Sequence, residues 1–143
     1  PYHKKLRNEL ERIKDQFGVA ILFDGHTIRS VVPRFYDGQI PDLNLGTANG
    51  HSAALSLAEI AYSTLLNKGY TAVWDERFTG GYITRKYGDP NNNIHAIQLE
   101  LTWKNYMNEA TYSYSPELAN RLKSLLQEML EKLINWTNVQ FRI

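Results

Sequence analysis

The chain has no cysteine and only 2 methionines among its 143 residues. Disulfides and thiolate metal ligands are thereby excluded, and any metal site has to be built from His, Asp or Glu. The same absence fits a reducing compartment, so a cytoplasmic location is the expectation. No run approaches the roughly 18 apolar residues of a membrane span, and no membrane partner is expected. Charge of one sign is also missing, since 16 Lys and Arg stand against 15 Asp and Glu. A net charge of +1 creates no field to recruit nucleic acid or anionic lipid. The 3 Trp and 9 Tyr are scattered without a basic stripe, which argues against an RNA- or DNA-binding module. Neither Walker-type nor GxGxxG spacing occurs, which weighs against a phosphate-cradling loop. The chain opens Pro1-Tyr2-His3 rather than with Met, and this reads as a processed, trimmed or partial product.

What is present suffices for one compact domain over residues 1–143, with 43% hydrophobic residues to build a core. Leu6, Leu10, Ile13 and Phe17 recur at helical spacing and Gly18 follows as a stop. The apolar run Val19 to Phe23 predicts a buried strand. Ser30 to Gly50, with Pro33, Gly38, Pro41, Gly46 and Gly50, reads as a long loop, a feature that is generally functional when ordered. Ser52 is placed as the cap of a helix running through Leu55, Leu57, Ile60, Leu65 and Leu66 and ended by Lys68-Gly69. Tyr70 to Trp74 predicts a second strand, Phe78 to Gly88 a loop, Asp89 to Asn93 a turn and Ile94 to Trp103 a third strand. Ser115-Pro116-Glu117 opens a final helix whose stripe of Leu118, Leu122, Leu125, Leu126, Met129, Leu130 and Leu133 belongs to the core. This order predicts an α/β fold, a largely parallel mixed sheet flanked by helices.

The polar residues at the predicted strand exits carry the chemistry. Asp24 and His26 follow the first apolar run, and they share a face if the strand continues through His26. An imidazole and a carboxylate together can ligate a metal or handle a proton, although Asp-Gly is also standard turn chemistry with a solvated His. Gln98 and Glu100 share one face of the third strand, away from His95. A carboxylate among apolar strand residues is costly to bury unpaired, so Glu100 needs a wet cleft or a cation such as one of the arginines. Gly80-Gly81 permits close backbone approach, and Arg77 and Arg85 flank it with guanidinium forks suited to carboxylates. A small-molecule carboxylate substrate is the economical partner. His51 and His95 read as structural or surface residues.

Taken together, Asp24 to Ser30, Pro33-Arg34, Pro41 to Thr47, Phe78 to Arg85, His95 to Glu100 and Tyr106 to Glu109 resemble, in order, the blocks of the N-formylglutamate amidohydrolase family. The resemblance implies a zinc-carboxypeptidase-like (phosphorylase/hydrolase-like) fold and zinc-dependent hydrolysis of N-formyl-L-glutamate to formate and L-glutamate. By position, His26 resembles a zinc ligand, Asp24 a metal-facing neighbour and Glu100 the general base. Arg29, Arg34, Arg77 and Arg85 resemble positions that hold substrate carboxylates or the developing oxyanion, with Arg85 assigned the catalytic share. Gly80, Gly81, Asn44 and Thr47 fall in blocks implied to bind substrate. Family members are longer, with the remaining zinc ligands before the matched region. The chain therefore reads as the carboxy-terminal part of a longer amidohydrolase, completed by the missing amino-terminal portion or a second chain.

Two alternatives stay open. One is a same-fold amidase or peptidase with a different N-acyl substrate. The other is a metal-free carboxylate-binding domain without activity, against which Glu100 stands, because a carboxylate-binding pocket gains nothing from an added negative charge.

Overall fold

The computed structural model describes residues 1–66 and 69–142. Helix α1 (Tyr2–Phe17) turns its Leu6, Leu10 and Ile13 stripe inward, and Gly18 ends it in the left-handed region at φ 79°. Strand β1 (Ala20–Ile28) runs well past the apolar segment, through Asp24 and His26. The Asp-Gly pair is thus extended strand rather than a turn.

The region read as one long loop contains β2 (Leu43–Gly46), four buried residues in the middle of the sheet, and an isolated bridge between Val31 and Gln39. Strand β3 (Ala72–Trp74) is shorter than the predicted second strand. The loop predicted over 78–88 folds in part into a short helix, α3 (Tyr82–Tyr87). A 3-10 turn at Pro90–Asn92 precedes β4 (Ile94–Thr102), which stops one residue before the predicted end. A small hairpin, β5 (Met107–Asn108) and β6 (Ser113–Tyr114), leads into α4 (Pro116–Phe141), capped by Ser115 as expected and reaching well beyond Leu133.

Helix α2 (Leu55–Leu65) corrects a second expectation. Ala54, not Ser52, occupies its N-cap. The Ser52 hydroxyl instead donates to Ala96 O at 2.7 Å, and Ser52 O accepts from Ala96 N–H at 2.7 Å, so this serine is spent on β4. Of the predicted stop, Lys68 lies outside the described residues and Gly69 is left-handed at φ 80°.

The sheet order is β1-β4-β2-β3. β1 and β4 pair in parallel, as do β2 and β3, while β2 runs antiparallel to β4. The sheet is therefore mixed and mostly parallel, as predicted. One face carries Leu43, Leu45, Ile97 and Leu99, which pack with Leu57, Ala61 and Leu65 of α2 and with Leu122, Leu125, Met129 and Leu133 of α4. The other face is covered only over its first half, where Leu10, Tyr87 and Ile83 from α1 and α3 pack on Ala20, Leu22 and Ile94. Beyond that cover the same face turns polar. No helix among the described residues is long and apolar enough to cross a membrane.

Candidate active site

The two-residue period of β1 and β4 sets Asp24 and His26 beside Gln98 and Glu100 on the half-covered face. The pairing register makes this concrete: Asp24 lies opposite Gln98, and His26 opposite Glu100. On the far side of β4, Asn44 is the register partner of Glu100 and Gly46 of Gln98. Three strands thus bring one polar row together from positions far apart in sequence.

His26 Nε2 and Asp24 Oδ1 are 3.1 Å apart. The second oxygen of Asp24, Oδ2, is buried without a hydrogen-bond partner, while the His26 ring is half exposed. This is an N/O donor pair with an orphaned buried carboxylate oxygen. It fits two positions of a zinc site, a catalytic zinc normally taking three protein ligands. Among the described residues no group of three or more His, Cys, Asp or Glu is placed to hold a metal ion.

Glu100 is 8% exposed, and no arginine among the described residues pairs with it. Burial pushes its carboxyl above the usual carboxylate range; Asp24 adds to the rise and His26 opposes it. The rise is in the direction that brings a carboxylate toward the range suited to proton transfer.

Gln98 ties the row to the glycine loop, since Gly81 N–H donates to Gln98 Oε1 at 2.5 Å. Gly80, at φ 113°, lies so close to Gly46 that a Cβ on Gly46 would stand 2.6 Å from Gly80 N. Arg85 reaches back from α3 to donate to Gly80 O at 2.5 Å. With Asn49, His51, Ser52 and Thr79 it lines a cavity of about 330 Å³.

The other arginines are not gathered at one point. Arg29 donates to Glu109 O at 3.4 Å and lies over the Tyr112 ring. Arg34 lies over Phe35, and Arg77 Nε donates to Phe35 O at 2.5 Å. Asn44 is buried, its Nδ2 donating to Pro41 O at 2.8 Å and Glu100 O at 3.3 Å, so it clamps β2 to β4 at Glu100. Thr47 is fully buried; its amide donates to Asp75 Oδ1 at 2.7 Å and its hydroxyl to Asp75 Oδ2, while Trp74 Nε1 donates to that hydroxyl. His95 is buried as a structural residue, accepting from Ala54 N–H at 3.1 Å and meeting Trp136 edge to face.

Some contributions were not drawn from the sequence. Asp75 anchors the β2 exit in the left-handed conformation, at φ 50°. Glu109 grips Ser30 through both the amide, at 2.6 Å, and the hydroxyl, which steadies the chain leaving β1. Neither pairing has a local spacing signal, because partners 28 and 79 residues apart meet only in the fold.

A family model described as N-formylglutamate amidohydrolase matches residues 1–107. Two curated relatives, each named N-formylglutamate deformylase, are 46% identical over 138 residues in Pseudomonas putida and 44% identical over 138 residues in Pseudomonas aeruginosa. Each match covers 95% of this chain and 52% of the relative, so the chain spans about half the length of the curated relatives it matches. In fold it is similar to the crystal structure of an N-formylglutamate amidohydrolase from Ralstonia eutropha, with a TM-score of 0.82 at 22% identity over 94% of this chain and 50% of that one.

Proposed function

The chain belongs to the N-formylglutamate amidohydrolase family, and from that premise we propose that it carries the base-bearing half of a zinc site that hydrolyses N-formyl-L-glutamate to formate and L-glutamate. The observation that carries the reading is the register pairing of His26 with a buried Glu100, with Asp24 on the same face. The zinc-carboxypeptidase-like character of the fold is part of the same proposal, supported by a mostly parallel sheet that carries its polar groups toward the ends of β1 and β4.

His26 Nε2 and an oxygen of Asp24 would hold the metal, with further ligands supplied from outside these 143 residues. The chemistry zinc supplies at such a site is Lewis acidity toward a carbonyl and toward water. Glu100 accepts the proton of the attacking water as oxygen adds to the formyl carbon. It delivers that proton to the amide nitrogen as the C–N bond breaks, which releases formate and the free amine of glutamate. Arg85 is the arginine assigned to the developing oxyanion, supported by its place on the cavity wall next to the Gly80–Gly81 backbone. Arg29, Arg34 and Arg77 are proposed to hold substrate carboxylates; among the described residues none is in an ion pair, so each keeps its charge for an anion.

The test is formate release by a full-length chimera in which this chain replaces the matched half of the Pseudomonas putida relative. An active chimera whose kcat falls by about 10² to 10⁴ on Glu100→Gln is the expected result. Unchanged turnover in the variant would remove Glu100 as base, and an inactive, folded, zinc-loaded chimera would overturn the activity itself.

A further inference from the structure

The polar row on the half-covered face holds one neutral member with donors to spare, Gln98. It lies opposite Asp24 in the β1–β4 register and two residues before Glu100 on the same face of β4. Its Oε1 accepts from Gly81 N–H at 2.5 Å, and this contact fixes the amide, because the reverse orientation would set an NH2 donor against an N–H donor. A Cβ on Gly81 would stand 3.0 Å from the same oxygen, so the glycine loop is shaped to the contact. The Nε2 end therefore faces away from that loop. Among the described residues it has no hydrogen-bond partner, and it is not sealed from water, although the side chain is only 5% exposed. Asp24 Oδ2, across the register, is without a partner too, so the amide is not spent on that carboxylate. Donors in so closed a place are satisfied by water or by a ligand.

An amide suits this position better than a cation. A Lys or Arg between Asp24 and Glu100 would pair with one of them and lose its free charge, whereas Gln98 keeps its N–H groups and leaves Glu100 without an ion partner. Distance then says what those N–H groups can reach. Gln98 stands about 6.6 Å along β4 from Glu100, the rise of two strand residues. In N-formyl-L-glutamate the extended path from the formyl carbon to the side-chain carboxylate carbon is about 6 Å, while that to the α-carboxylate carbon is only about 3.8 Å. A substrate with its formyl group at Glu100 thus brings its side-chain carboxylate, and not its α-carboxylate, level with Gln98.

We propose that Gln98 is a specificity residue, whose Nε2 donates to the side-chain carboxylate of the glutamate part of the substrate while Gly81 N–H holds the amide in place. The assignment rests on N-formyl-L-glutamate being the substrate, the reading given above. It requires the site to prefer glutamate over an amino acid of the same length that ends in an apolar group, since such a side chain would leave the Gln98 donors unpaired.

The test follows the side-chain NH2 resonances of Gln98 by NMR in the full-length chimera during titration with L-glutamate and with L-norvaline, which carries a methyl group where glutamate has its side-chain carboxylate. Glutamate is expected to shift these resonances and norvaline to leave them in place. By calorimetry, Gln98→Met, similar in length but without donor or acceptor, should weaken glutamate binding about ten- to a hundredfold and leave norvaline binding unchanged. Gln98→Glu keeps an acceptor for Gly81 N–H but loses the donors, and it should weaken glutamate at least as much. The resonances need no variant, so they serve even where the methionine variant does not fold. An equal loss for both ligands would make Gln98 a support of the glycine loop alone and overturn the proposal. So would glutamate binding in Gln98→Glu that matches the parent, or NH2 resonances indifferent to glutamate, which would give the amide to Asp24 or to water. A chimera that holds glutamate through Gln98 yet releases no formate would count against the proposed hydrolysis and not against this contact. Equal kcat/KM for N-formyl-L-glutamate and N-formyl-L-norvaline would count against the contact and not against the hydrolysis.

Discussion

His26 and Glu100 are register partners across the parallel β1–β4 pair, on strands that lie about 4.8 Å apart. A group held by the imidazole is therefore within reach of the carboxylate, and the two can divide the labour of one site. If His26 is a ligand and Glu100 a base, the two substitutions separate cleanly. In the full-length chimera His26→Ala should reduce zinc from about one per chain to background by plasma mass spectrometry. Glu100→Gln should leave the zinc content intact. Equal zinc in the His26 variant would remove this residue from the metal site.

Arg85 donates to a backbone carbonyl, Gly80 O, and faces a cavity rather than a carboxylate. Its charge is available for a substrate anion. Arg85→Ala should weaken glutamate binding by about ten- to a hundredfold, the worth of a charged hydrogen bond, with calorimetry as the measurement. A dissociation constant equal to that of the unmodified protein would exclude Arg85 from contact with substrate.

Much of this arrangement was legible in the sequence, and the parts that were not share a physical cause. The β1 run, the alternation in β4 that put Gln98 and Glu100 on one face, and the leucine stripe of α4 are long enough for their periods to show. β2 has only four residues, Leu43 to Gly46, and owes its place to neighbours on β4 and β3 that are distant in sequence. The six-residue α3 is too short to be stable by propensity and is held by packing of Ile83 and Tyr87 on the sheet face. Ser52 looked like a helix cap because its hydroxyl can serve as one; its actual partner, Ala96, is 44 residues away. Among the arginines, the sequence named four candidates but could not show that only Arg85 lines the cavity beside the glycine loop.

Gly46 and Gly80 bring two stretches of backbone close together near the site. A Cβ at position 46 would lie 2.6 Å from Gly80 N, 2.8 Å from Thr79 C and 2.9 Å from Phe78 O, all backbone atoms that cannot rotate away. Gly46→Ala should destabilise the fold by about 1–3 kcal/mol in chemical denaturation. It should also displace Gly81 from Gln98, seen as a shift of the Gly81 amide resonance. Stability and resonance both matching the parent would show that the two loops do not touch.

Two buried groups with lowered pKa values, His95 and Asp42, favour the fold at higher pH in different windows, while Glu100, raised by burial, acts in the opposite sense. Burial lowers the pKa of His95 below its ordinary 6.5, so the folded protein keeps the ring neutral where the unfolded chain protonates it. The unfolded state then binds more protons, and stability should fall as pH drops below about 6.5, by no more than about 1.4 kcal/mol per pH unit for this one residue. For Asp42, burial acts to raise the pKa but is outweighed by Lys104, whose Nζ lies 2.7 Å from Oδ1, and by the Thr71 amide and hydroxyl. Its folded pKa lies below 3.8, and its contribution is present above that value and lost only as pH falls beneath it. His95→Asn can keep an acceptor for Ala54 N–H while removing the titration, so its denaturation midpoint should depend less steeply on pH between about 6.5 and 5 than that of the parent. Parallel curves for the two proteins would mean that the loss in this window comes from other groups. A loss confined to more acidic solution would point to carboxylates such as Asp42.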